Sequence, residues 1–69
     1  MQLMMKTIHF EIPTMTGPQK QQEVSYFLKR LGVFDIITES GKAAVICADD
    51  LPKVEMIIAI EEAGHVVRY

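Results

Sequence analysis

Asp35-Ile36-Ile37-Thr38-Glu39-Ser40-Gly41-Lys42-Ala43-Ala44-Val45-Ile46-Cys47-Ala48 is the stretch on which the fold turns. Ser40-Gly41-Lys42 reads as a tight turn, because Gly41 can take the positive φ that short hairpin loops need. Before it, Val33 to Glu39 reads as a strand, with Phe34, Ile36 and Thr38 on one side and Asp35 and Ile37 on the other. After it, Ala43 to Ala48 is apolar on both sides. A hairpin at the middle of the chain therefore splits it into two halves.

Outward from the hairpin, each half reads alike. Lys6 to Ile12 alternates, with Ile8, Phe10 and Ile12 facing one way and Thr7, His9 and Glu11 the other, which predicts a half-buried strand. Pro13 ends it, since proline cannot donate to a ladder. From Pro18 the period lengthens, and Val24, Phe27, Leu28 and Leu31 fall on one face of a helix. Thr16 or Gly17 is its expected N-cap, and Gly32 its stop. In the second half, Asp49 or Asp50 is expected to cap a helix that carries Pro52 in its first turn, runs to Ala63 and stops at Gly64. Met56, Ile57, Ile60 and Ala63 are expected to face the sheet, leaving Val54 and Ile58 on the flank. His65 to Tyr69 is expected to close the sheet as a fourth strand. The order βαββαβ predicts an α+β, ferredoxin-like sandwich, with a four-stranded antiparallel sheet and two helices on one face.

Composition bounds the function. The chain has 69 residues, 49% of them hydrophobic and 23% charged, enough for one small domain over residues 6–69 behind a flexible N-terminus of residues 1–5. Its single cysteine, Cys47, has no partner for an intrachain disulfide and fits a reducing, cytoplasmic setting. Nine acidic residues outnumber seven basic ones, for a net charge of -2, so no broad positive field marks a nucleic-acid partner. No apolar run is long enough for membrane insertion.

Several pieces together resemble one family. The tail Met56-Ile57-Ile58-Ala59-Ile60-Glu61-Glu62-Ala63-Gly64-His65-Val66-Val67, the turn Leu31-Gly32-Val33 followed by Ile36, and Met15-Thr16 after the first strand are similar to the heavy-metal-associated domains of copper chaperones and metal-pumping ATPases. The resemblance covers nearly the whole chain from Lys6, with a first helix about one residue short. In that family a Cys-x-x-Cys pair follows Met-Thr and binds soft ions such as Cu(I) through thiolates. Here Gly17 and Lys20 stand at those positions. Glycine has no ligand atom and a protonated lysine repels a cation, so the resemblance implies the scaffold without its metal site, and no metal or other cofactor is assigned.

Other chemistry is sparse. Met15 with His65, or the thioethers of Met1, Met4 and Met5 with a histidine, would be the substitute ligands of a copper carrier. A family-like Met15 packs in the core, and terminal methionines are ordinarily plain tail. Thr16, Gly17 and Lys20 at a helix start define an alternative small-anion or metabolite sensor, against the ordinary reading of a helix start with a solvated lysine. Cys47, in phase with Ala43 and Val45, reads as a core thiol, and His9 beside Glu11 as a solvated or interface histidine. No Ser–His–Asp grouping or phosphate loop is legible, so no enzyme is expected. What remains is apolar surplus: Ile37, Ala44, Ile46 and Ala48 fall on the outer sheet face, where a two-layer sandwich leaves them open. Such a patch points to a protein partner, most simply a second copy in a homodimer. The expected function is a non-catalytic interaction or regulatory module that has lost thiolate metal binding.

Overall fold

The computed structural model describes residues 4–68. Strand β1 (Met5–Glu11) leads into helix α1 (Pro18–Lys29), strand β2 (Asp35–Glu39), strand β3 (Lys42–Ala48) and helix α2 (Lys53–Glu62). The sheet has three strands in the order β1-β3-β2, both pairings antiparallel. Its centre is therefore β3, the strand that is apolar on both sides.

The hairpin forms as its sequence demands. Glu39 pairs with Lys42 across a two-residue turn, and Gly41 has φ 79. Gly41 is also bonded on both sides to the chain that follows β1. Its carbonyl accepts from Ile12 N–H at 2.8 Å, and its N–H donates to the Met15 carbonyl at 2.9 Å. The turn thus serves as a bracket for residues 12–15.

The helices cover one face only. Phe10, Ala43, Val45 and Cys47 point from that face into a core completed by Ile12, Met15, Val24, Leu28, Met56, Ala59, Ile60 and Val67. Alternation along the strands dictates this, because residues two apart share a face. Cys47 is fully buried, as its phase with Ala43 and Val45 required.

Several expectations are corrected. The sheet is three-stranded, not the four-stranded ferredoxin-like sheet read from the sequence: residues 65–68 contribute only an isolated antiparallel bridge between Glu11 and Arg68. One feature explains the difference. His65 N–H donates to the Ile60 carbonyl at 3.2 Å, so the first residue of the expected strand closes α2 instead. Helix α2 begins behind Pro52, an extended N-cap with φ -68, and no aspartate side chain caps it. Asp49 and Asp50 precede that cap position, and the Asp49 backbone N–H donates to the Met4 carbonyl at 3.0 Å. Strand β1 begins at Met5, and residues 1–3 of the tail expected to be flexible lie outside the described residues. Phe34 is 51% exposed rather than inward, since it precedes the edge strand β2 and Val33 packs against the core beside it. On α2, Ala59 joins Met56 and Ile60 in the buried stripe, and Ile57 and Ala63 are half-buried.

Candidate functional site

Met15, Thr16, Gly17, Lys20 and His65 were the positions marked by the family resemblance. The first four lie on the connection from β1 to α1 and the start of that helix. Met15 has no exposure, and its side chain is among the largest fully buried ones in the core. Its backbone is bonded on both sides, the N–H donating to the Ile12 carbonyl at 2.9 Å and the carbonyl accepting from Gly41. Thr16 and Lys20 are exposed.

Gly17 is the N-cap of α1, with φ 85 and ψ 161. That backbone region is accessible essentially to glycine alone. No atom stands within 4 Å of where a Cβ would be, so the constraint is in the backbone and not in crowding. The residue therefore does more than lack a thiol: the chain enters the helix along a path that a cysteine would strain. Pro18 at the helix start has no N–H to leave unpaired, and Gly17 has no side chain with which to cap the N–H groups that follow.

His65 arrives from the other end of the chain, after Gly64 (φ 90) ends α2. It is buried, with 6% exposure, hydrogen-bonded through one ring nitrogen and approached by a carboxylate at the other. Thr14 Oγ1 lies 2.8 Å from Nδ1, and Glu23 Oε1 lies 3.7 Å from Nε2. The neutral tautomer that carries its hydrogen on Nε2 points that N–H toward the carboxylate and leaves Nδ1 to accept from the threonine hydroxyl. The Thr14–His65 bond thus ties the β1–α1 connection to the end of the second helix, with Glu23 of the first helix nearby. Sequence reading singled out His65 but neither partner. Fifty-one residues separate Thr14 from His65, and nothing local signals the contact. Met15 is turned into the core and His65 Nδ1 is bonded to Thr14, so the two side chains face structural partners. Among the described residues no group of three or more His, Cys, Asp or Glu side chains is placed to hold a metal ion.

The second region is the outer face of the sheet. Register places its residues in rows. His9, Ala44 and Ile37 form one row, Thr7, Ile46 and Asp35 the next, and Met5 stands beside Ala48. All four predicted interface residues do share this face. Ile37 is 59% exposed, while Ala44, Ile46 and Ala48 are half-buried because side chains from β1 and β2 flank the central strand. No element of the described chain lies over them. At one end the face dips into a depression of about 600 Å³, with Ala44 and Ile37 in its floor and Glu11, Glu39, Lys42 and Arg68 around it. Sequence reading named the apolar members but not this charged border, which needs the strand register and the Glu11–Arg68 bridge.

No family model matches this chain, and comparisons with curated proteins and with solved structures likewise find no match. No helix among the described residues is long and apolar enough to cross a membrane.

Proposed function

We propose that this chain is a non-catalytic protein-interaction or regulatory module, related through its loop and tail motifs to heavy-metal-associated domains but without their thiolate metal capture. The observation that carries this reading is the uncovered outer face of the sheet, where Ile37 is mostly exposed beside Ala44, Ile46 and Ala48. An apolar sheet face without a second layer is the surface that a partner covers. The loop region supports the loss of metal. Soft-ion capture needs two polarizable donors converging on one point, whereas Met15 is turned into the core and His65 is bonded to Thr14 and approached by Glu23. Its partner is a protein, and its lone buried thiol suits the reducing cytoplasm.

Titration with Cu(I) under reducing conditions, against a chromophoric Cu(I) chelator, tests the metal half of the proposal. The chelator is expected to keep its copper at every protein concentration. Stoichiometric transfer to the protein would overturn the reading in favour of a methionine–histidine carrier.

A further inference from the structure

Glu39 and Glu11 are both register partners of Lys42, one on each side, and Arg68 is the bridge partner of Glu11. Directly opposed residues of antiparallel strands point to the same face. Across the outer face the four side chains therefore stand in the order Glu39, Lys42, Glu11, Arg68, with charges minus, plus, minus, plus, at steps of about 4.8 Å. All four are exposed and all line the depression. No ion pair joins them to one another in the described structure, where the one close pair is His65 with Glu23. A row with this alternation has a particular property. Turned over about an axis parallel to the strands, midway between β3 and β1, it presents plus, minus, plus, minus to itself. Glu39 then meets Arg68 of a second copy, and Lys42 meets Glu11 of that copy, each twice.

The same operation brings β3 of one copy over β1 of the other. Ala44 then lies over His9, Ile46 over Thr7 and Ala48 over Met5 of the second copy, following the rows in the sheet. Small meets large at each level: the alanines leave room for the histidine and the methionine, and the isoleucine faces the shorter threonine. Two sheets packed face to face sit about 10 Å apart with strands within about 30° of parallel, a distance at which such side chains interdigitate. In this register β3 and β1 of each copy overlap while β2 extends past them toward Arg68 of the second copy, so the contact falls at the small, transient end of interfaces, below about 1,200 Å² in total.

We infer that the partner for this face is a second copy of the chain, docked sheet to sheet about a two-fold axis parallel to the strands, with Glu39, Lys42, Glu11 and Arg68 fixing the register. The inference rests on the interaction reading above and specifies its partner. Ala44, Ile46 and Ala48 supply the apolar contact, while in this register all four charges of the border meet an opposite charge.

Light scattering and sedimentation across a concentration series, with Cys47 kept reduced, test it. Wild type is expected to be a dimer that dissociates on dilution. Lys42→Glu and Glu11→Lys should each weaken the dimer by roughly 10- to 100-fold, because each places like charges together at two symmetric points. The double variant Lys42→Glu/Glu11→Lys keeps a self-complementary row and should recover wild-type affinity to within about threefold. An equimolar mixture of the two single variants should form a one-to-one heterodimer, which also shows that both are folded. A wild-type monomer at millimolar concentration would overturn the inference, as would a dimer indifferent to both single changes. The copper titration reads the underlying proposal separately. A face-to-face dimer that captures Cu(I) overturns the metal-free module and upholds the dimer, whereas a monomer that ignores copper overturns the second copy alone.

Discussion

Strand β3 is apolar on both sides, yet its two sides have opposite fates. Ala43, Val45 and Cys47 are all but closed to water, whereas Ala44, Ile46 and Ala48, interleaved with them, remain partly open. Composition does not distinguish the two sets; the helices do, by lying on one face and leaving the other. An inward residue of β3 is held by the whole core, and an outward one only by its sheet neighbours. The contrast separates stability from association: the inner face should govern whether the chain folds, and the outer face what it touches.

The largest effect should come from a charge on the inner face. Val45→Asp places an unpaired carboxylate where exposure is zero, a cost of about 4 kcal/mol or more that is enough to unfold so small a domain. Circular dichroism would show the loss directly, and a folded variant would break the distinction between the faces. Ile60→Ala, which empties part of the same core from the helix side, should cost about 2–5 kcal/mol in urea denaturation. Gly17→Ala should cost about 1–3 kcal/mol through its φ of 85 alone. A value near zero would mean that the loop relaxes freely, and that the path into α1 is not what keeps a cysteine from this position. At the small end, Ile37→Ser on the outer face should leave monomer stability within about 0.5 kcal/mol at low micromolar concentration, while shifting the association equilibrium measured by light scattering. The thiol of Cys47 offers a readout between these extremes. Buried on the inner face, it should react with a thiol reagent only as fast as the protein opens, and rapid modification of native protein would contradict its burial.

Much of the fold was legible because it is written in short-range rules. Alternation gave β1, β2 and β3 to within about two residues, the i, i+3, i+4 spacing gave Val24 and Leu28 their place in the core, and Gly41 marked the hairpin turn. The expected fourth strand failed for a reason that no local pattern carries. His65-Val66-Val67 has strand-like composition, but His65 N–H closes α2 on the Ile60 carbonyl and its ring bonds to Thr14. Asp49 and Asp50 do not cap α2 because the helix starts later, behind Pro52. At the candidate sites the division is the same. Ile37, Ala44, Ile46 and Ala48 were readable as one apolar face, while the charged row beside them was not, because Lys42 and Glu11 are neighbours only through strand register.

The amino-acid sequence by itself determined the identities that matter: no second thiol to pair with Cys47, a glycine at the start of α1, and a central strand apolar on both sides from Ala43 to Ala48. These follow from side-chain chemistry and from backbone preference within a few residues. Only the tertiary structure decided that three strands and not four make the sheet, that Thr14 binds His65, and that Glu39, Lys42, Glu11 and Arg68 stand in line. Each of those depends on contacts between segments distant in sequence, whose formation reflects competition for the same hydrogen-bonding groups and the same buried space. Local propensity does not report the winner of that competition.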